Sequence, residues 1–132
     1  MDPAADTAAA PPQPPAAPTL LDPDEITRRL AQQLPSWRYQ DRQLLRDYRT
    51  SGWPATLMVA NAIAQLAEAA WHHPELLLGY AQVQVRLSTH DAGGVTGRDL
   101  ALAERIEQVL LWPAEAGSLL AAAPDAKRLI VG

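Results

Sequence analysis

The chain has 132 residues, enough for one domain with its own core, and its formal net charge is −4. It contains no cysteine, which excludes disulfides, thiolate nucleophiles and cysteine-ligated metal sites. No Lys/Arg run indicates contact with nucleic acid, and no apolar run reaches the roughly 18–20 residues that a membrane span needs.

The first 19 residues are almost entirely alanine and proline. They include no large apolar side chain that could be buried, which predicts a disordered, partly polyproline-II extension over residues 1–19. Asp2 and Asp6 stand where a signal peptide would be basic, and prolines interrupt the part that would be apolar. We therefore expect a cytoplasmic protein.

The predicted domain, residues 20–112, begins with a helix. Asp22 is suited to the N-cap and Pro23 to the first helical position. Apolar residues then recur at helical spacing until Pro35 ends the helix. Two short strands are predicted next, over residues 37–40 and 43–49, with a turn between them at Asp41 and Arg42.

A second helix is predicted to begin near Trp53 and Pro54. It has to end before Pro74, because the residue before a proline avoids the α region. His72 and His73 are therefore expected in its last turn, where the chain leaves the helix. The predicted buried face repeats at helical spacing and comprises Ala55, Val59, Ala62, Ile63, Leu66 and Ala70.

Residues 82–89 carry the clearest pattern in the sequence. Val83, Val85 and Leu87 alternate with polar residues, which predicts a strand with one buried and one solvated face. Residues 76–79 are compatible with a short strand before it.

A third helix is predicted after this strand, because Thr96 and Asp99 have the spacing of a capping box. Pro113 ends that helix, and the Ala-rich residues 113–132 predict a loosely ordered C-terminal tail. The helix is expected to contribute to the core Leu102, Ile106, Val109 and Leu110.

The predicted order is helix, two strands, helix, one or two strands, helix. Strands do not alternate singly with helices, so this order predicts an α+β fold with a mainly antiparallel sheet. Helices would cover one face of the sheet. The other face would carry the polar residues or pair with a second subunit.

All three histidines of the chain, His72, His73 and His90, lie within 19 residues. The end of a helix and the end of a strand can meet at one edge of a two-layer domain, so the imidazoles can converge on one pocket. They can equally be surface residues, and the helix dipole favours histidine at a C-terminus. Glu68, four residues before His72, would form an exposed ion pair with it or, if buried, orient the ring.

Zinc is an alternative explanation of the cluster, because three histidines suffice as catalytic zinc ligands. However, adjacent residues on one helix point about 100° apart. Joint ligation by His72 and His73 is therefore awkward, and no metal site is predicted.

The pattern Glu68-x-x-x-His72-His73-Pro74, followed by Tyr80, Ser88-Thr89-His90-Asp91 and Asp99, resembles the signature of pterin-4a-carbinolamine dehydratases. The similarity runs from about residue 34 to residue 111 and includes the motif Leu34-Pro35-x-Trp37. The resemblance implies a two-layer α+β fold with three helices packed on one face of a four-stranded antiparallel sheet. It also implies homodimers or homotetramers assembled through that sheet.

By this resemblance, the protein would dehydrate a 4a-hydroxytetrahydropterin to the quinonoid dihydropterin. This reaction recycles the pterin after aromatic amino-acid hydroxylation, and no metal or organic cofactor would be used. The hydroxyl that leaves C4a needs a proton and a ring nitrogen has to lose one, and imidazoles suit both tasks near neutral pH. The implied catalytic residues are His72 and His90 as acid/base groups and His73 as the group that binds or orients the ligand.

The supporting residues implied by the resemblance are Glu68, which would act on His72, and Asp99, for which the capping box is an equally good account. The implied substrate-binding residues are Trp37, Thr89 and Asp91. Trp37 would pack against the flat pterin or, alternatively, anchor the edge of the sheet.

Two positions depart from the family pattern. Trp71 stands where the family usually carries Asp or Asn, and Leu76 replaces a residue that is often aromatic. Trp71 and the two terminal segments motivate an alternative hypothesis, a dehydratase-like interaction protein with weak or no activity. Such a protein would resemble a dimerisation cofactor of a transcription factor or an assembly factor for Rubisco in carboxysomes.

Overall fold

A computed structural model describes residues 18–112, 119–120 and 128–132. The predicted N-terminal extension, residues 1–19, and the predicted C-terminal tail, residues 113–132, therefore lie mostly outside the described residues. In the described part, no helix is long and apolar enough to cross a membrane.

The described elements follow the predicted order. They are α1 (Pro23–Gln33), β1 (Arg38–Gln40), β2 (Gln43–Arg49), α2 (Trp53–Ala70), β3 (Glu75–Gly79), β4 (Gln82–Leu87), a 3-10 turn (His90–Ala92) and α3 (Gly97–Leu110). The strands form one antiparallel sheet in the order β1-β2-β4-β3. For the described residues, this confirms the α+β class with three helices and a four-stranded antiparallel sheet.

Two helix starts have the predicted caps. The Asp22 carboxylate accepts a hydrogen bond from the Asp24 backbone N–H at 3.2 Å, and Pro23 is the first residue of α1. At α3, the Thr96 hydroxyl accepts from the Arg98 N–H, while the Asp99 carboxylate accepts from the Thr96 N–H at 2.9 Å. The capping box is therefore confirmed, and it places Asp99 in the first turn of α3.

The predicted hairpin between β1 and β2 is confirmed, with Asp41 and Arg42 at its turn. Both turn residues have positive φ, 53° and 63°, as two-residue hairpin turns that match the strand twist require. The sequence signal was weak because an arginine in this conformation is disfavoured by about 1 kcal/mol. β1 begins one residue later than predicted, at Arg38.

The core lies between the helices and the inner face of the sheet. Val83, Val85 and Leu87 are completely buried, as their alternation predicted. Two residues predicted to be buried are exposed, namely Ala70 and Val109. Both lie in the last turn of a helix, where the neighbouring elements cover less of the surface; buried positions shared with the prediction include Ala55, Val59, Ile63, Leu102 and Ile106.

The described residues near the C-terminus extend the backbone pairing of β2. The Val131 N–H donates to the Arg49 carbonyl at 2.9 Å, and the Ser51 N–H donates to the Leu129 carbonyl at 3.1 Å. An antiparallel bridge between Thr50 and Ile130 lies between these two bonds.

Candidate active site

The end of α2 decides where the histidine pair lies. The helix ends at Ala70, and Trp71 adopts a left-handed conformation with φ 49° and ψ 46°. The backbone N–H of His72 then donates to the Ala67 carbonyl at 3.1 Å, which closes the helix end. His72 and His73 consequently follow the helix and are not in its last turn, which corrects the prediction.

His72 is paired with Asp99. Its Nε2 lies 2.6 Å from Asp99 Oδ1, and the His72 side chain is 12% exposed while the Asp99 side chain is completely buried. The other carboxylate oxygen of Asp99 accepts from the Thr89 hydroxyl at 2.8 Å and from the Thr96 backbone N–H at 2.9 Å. The hydroxyls of Thr89 and Thr96 also lie 2.7 Å apart.

These contacts set the tautomer and orientation of His72. An ionised carboxylate can only accept hydrogen bonds, so Nε2 carries the proton when Asp99 is ionised. Nδ1 is then the ring nitrogen that can accept a proton from another molecule. Thr89 and Thr96 hold the carboxylate from its other side, so the ring has a rigid support.

Glu68 contacts His73 and not His72. The Glu68 carboxylate lies 2.8 Å from His73 Nε2, and both side chains are more than half exposed. The expected pairing of Glu68 with His72 is therefore wrong, because the chain turns at Trp71 and His72 meets Asp99 of α3. The Trp71 ring meets the His73 ring edge to face, with centroids 5.0 Å apart.

His90 and Asp91 are exposed and begin the 3-10 turn directly after Thr89. In the described part of the chain, the His90 side chain makes no hydrogen bond or ion pair with another residue. Its connection to the His72–Asp99 pair is through its neighbour Thr89, which bonds to the same carboxylate. Convergence of all three imidazoles on one ligand stays a prediction.

Trp37 lies in the core and is only 4% exposed. Its indole N–H donates to Glu107 at 2.9 Å, and Glu107 is eight residues along α3 from Asp99, about 12 Å at the usual helical rise. The structure therefore does not bring Trp37 to the histidine pair. This position favours the alternative reading, in which Trp37 anchors the start of β1.

Sequence reasoning missed the buried group around Glu107. One oxygen of this carboxylate accepts from the Arg46 Nε at 2.6 Å and from the Tyr48 hydroxyl at 2.8 Å, in addition to the Trp37 indole. Burial, followed by the hydrogen bond to Glu107, raises the pKa of Tyr48 well above its ordinary value. A signal was present, because Arg46 occupies an inward position of β2 and a buried charge needs a partner.

A cleft of about 640 Å³ lies between α2 and α3, beside His72. Trp71 lines this cleft, and so do Arg98 and Arg105 of α3. The remaining lining is small and apolar, formed by Leu66, Ala69, Ala70, Ala101 and Leu102. A second depression, of about 450 Å³, is lined by Glu68, His73, Pro74 and Leu76, among others.

The zinc alternative has no support in this geometry. Among the residues that the structure describes, no three His, Asp or Glu side chains are grouped so that they could hold a metal ion. His72 and His73 have separate carboxylate partners, Asp99 and Glu68, instead of facing one point.

The family model described as pterin 4 alpha carbinolamine dehydratase matches residues 19–109 of the chain. The chain belongs to this family. The match spans every helix and strand named above except Leu110, the last residue of α3, and it includes Glu68, the histidine pair, His90 and Asp99. The predicted family is therefore confirmed.

Two relatives are each 41% identical to the chain over 90 residues, or 68% of its length. They come from Aquifex aeolicus, where 90% of the relative is covered, and from Haloarcula marismortui, where 95% is covered. Both carry the name "Putative pterin-4-alpha-carbinolamine dehydratase".

A solved structure from Brucella melitensis is also similar. It is described as a transcriptional coactivator/pterin dehydratase and is 26% identical, with a TM-score of 0.62. The similarity covers 67% of this chain and 96% of that one.

Proposed function

We propose that the protein dehydrates a 4a-hydroxytetrahydropterin to the quinonoid dihydropterin by histidine acid/base catalysis. Membership of the family supports the substrate class. The observation that carries the proposal is the His72–Asp99 pair, in which a partly accessible imidazole is held by a completely buried carboxylate beside a cleft. An imidazole held in this way is suited to transfer protons to and from a bound ligand.

The reaction requires two proton movements. The C4a hydroxyl leaves as water after it gains a proton, and a ring nitrogen loses one. His72 would provide one of these groups, with Nδ1 toward the ligand and Nε2 on Asp99. His90 would provide the other, and His73 would contact the ligand from the neighbouring depression.

The experiment mixes the full chain with 4a-hydroxytetrahydropterin and follows the quinonoid dihydropterin by stopped-flow absorbance. We expect the first-order rate to rise in proportion to protein concentration above the spontaneous rate. His72→Gln should remove most of this increase, whereas Arg28→Gln, an exposed change on α1, should retain it. The proposal is wrong if high concentrations of the wild-type chain give no acceleration.

We propose further that this activity needs no cofactor. All the chemistry described above uses protein side chains and water, so dialysis against EDTA should leave the rate unchanged. A rate that disappears on dialysis and returns with one added metal would contradict this.

A homo-oligomer is part of the proposal. β3 is an edge strand of the sheet, and its Leu77 is 62% exposed while the adjoining Tyr80 is 76% exposed. Exposed apolar side chains at the unpaired edge of a sheet favour association. Analytical ultracentrifugation of wild type and Leu77→Lys should give a dimer or tetramer for the first and a smaller species for the second.

Exposed apolar residues also support the second candidate, an interaction protein. A further support is that the similar protein from Brucella melitensis is described as a coactivator as well as a dehydratase. Under this alternative, Trp71, which is 75% exposed, would contact a protein partner. Absence of turnover together with a partner that dissociates on Trp71→Ala would favour it. Full turnover in Trp71→Ala and wild type would favour the enzyme.

A further inference from the structure

The cleft between α2 and α3 carries positive charge along one side. Arg98 and Arg105 both line it, together with Ala101 and Leu102 of the same helix. These four positions have the spacing of one helix face, so the two guanidinium groups flank a single apolar stripe. The arginines are seven residues, or about 10 Å, apart along the helix.

Neither of these arginines is neutralised by another residue that the structure describes. In the part of the chain that the structure describes, the side chains of Arg98 and Arg105 have no hydrogen-bond or ion-pair partner. By contrast, Arg28 and Arg29 pair with Glu25 on α1. The chain as a whole is acidic, with a net charge of −4, so two unpaired cations on one cleft do not reflect a generally basic surface.

Asp99 follows Arg98 directly in the sequence, but its carboxylate already has partners within the protein. Its oxygens bond to His72, Thr89 and Thr96, and it is completely buried. It therefore orients His72 and leaves the arginines available to an external anion.

The cleft is also larger than a bicyclic ring requires. Its volume of about 640 Å³ lies in the range of pockets that hold drug-sized ligands. The alanines at positions 69, 70 and 101 keep it open. A ligand whose ring meets His72 would leave space beside the arginines for a substituent.

We propose that the substrate carries an anionic substituent, a carboxylate or a phosphate, which Arg98 and Arg105 bind while His72 faces the ring. This inference rests on the proposed function and narrows its substrate class. Guanidinium groups bind carboxylates and phosphates through paired, charge-assisted hydrogen bonds. The apolar stripe between the arginines would contact the uncharged part of the substituent.

The test measures binding of three stable reduced pterins to the full chain by calorimetry: 7,8-dihydroneopterin, its 3′-monophosphate and 7,8-dihydrofolate. The first is uncharged at the side chain, the second adds a phosphate and the third adds carboxylates. We expect at least one of the charged compounds to bind about tenfold more tightly than the neutral one, equivalent to about 1.4 kcal/mol. The compound with the advantage identifies the anion.

Arg105→Gln and Arg98→Gln should each reduce this affinity ratio toward one, and added salt should reduce it in wild type. The matched control, Arg28→Gln, should retain the ratio. Equal affinities for all three pterins, or a ratio that survives both cleft substitutions, would overturn the inference. A separate assay tests the proposed function. Absence of turnover of a 4a-hydroxytetrahydropterin with a neutral side chain would contradict that function, whatever the affinity ratio.

Discussion

The imidazole of His72 lies 2.6 Å from the carboxylate of Asp99, a residue 27 positions away at the start of α3. The same carboxylate closes the capping box by accepting the Thr96 N–H. One side chain therefore both begins a helix and orients the candidate acid/base group. The two accounts of Asp99 that the sequence left open are compatible, because its two oxygens have different partners.

Replacement of Asp99 by asparagine is expected to separate these two roles. The asparagine oxygen can keep the bonds to Thr89 and Thr96, but its NH₂ group would face Nε2 of His72 and select the other tautomer. We expect kcat to fall by about 10²–10⁴, while the free energy of unfolding falls by only about 1 kcal/mol. Stopped-flow rates and urea unfolding on the same preparation measure both quantities.

The double variant His72→Gln/Asp99→Asn provides the control for this prediction. Residues that act as one unit have non-additive effects, so the double variant should lose little more activity than His72→Gln alone. A loss equal to the product of the two single losses would show that Asp99 acts on catalysis by another route.

Glu68 is expected to act through His73. The pair is exposed, so Glu68→Gln should change the free energy of unfolding by less than about 0.5 kcal/mol. In double-variant cycles of kcat/KM, Glu68→Gln should couple with His73→Gln and be additive with His72→Gln. Coupling to His72 alone would restore the arrangement that the sequence suggested and contradict the observed contact.

Glu107 is expected to be important for stability. Its carboxylate accepts three donors, and the side chain of one of them, Arg46, is only 10% exposed. Glu107→Gln leaves that guanidinium without its counter-charge, which should lower the free energy of unfolding by about 3 kcal/mol. The exposed Glu104 on the same helix gives the matched control, because Glu104→Gln should stay within about 0.5 kcal/mol of wild type in urea unfolding. Equal effects of the two substitutions would exclude a special role for this buried group.

Tyr48 is expected to make stability fall at alkaline pH. Its pKa is raised by burial and then by Glu107, so the unfolded chain loses this proton above about pH 10 while the folded chain keeps it. The stabilisation is therefore fully present below pH 10 and is lost as the pH rises further, by up to about 1.4 kcal/mol per pH unit. Urea unfolding of wild type and Tyr48→Phe at pH 9, 10 and 11 measures this. Parallel pH dependence in the two proteins would contradict the assignment.

The fold could be predicted closely because its signals are local. The period-2 alternation over Val83, Val85 and Leu87 marked a strand with one buried face, and the caps at Asp22 and Thr96 marked helix starts. Errors occurred at helix ends, as for Ala70 and Val109. There, burial depends on how far neighbouring elements extend, and periodicity carries no information about that extent.

The candidate site could be predicted only as a set of residues. Spacing and family resemblance selected Glu68, His72, His73, His90 and Asp99, but they did not give the pairing among them. Glu68, four positions before His72, was assigned to it, whereas the left-handed residue Trp71 turns the chain so that His72 meets Asp99. Only Trp71 has the left-handed conformation at this helix end, and a tryptophan does not predict it.

By itself, the sequence determined the family, the order of helices and strands and the clustering of three histidines, because each depends on residues near one another in the chain. The tertiary structure alone decided which carboxylate supports which imidazole. It also brought Arg98 and Arg105 to the cleft beside His72 and paired Arg46 with Glu107. These contacts join residues far apart in the chain, and packing of α3 against α2 and the sheet brings them together.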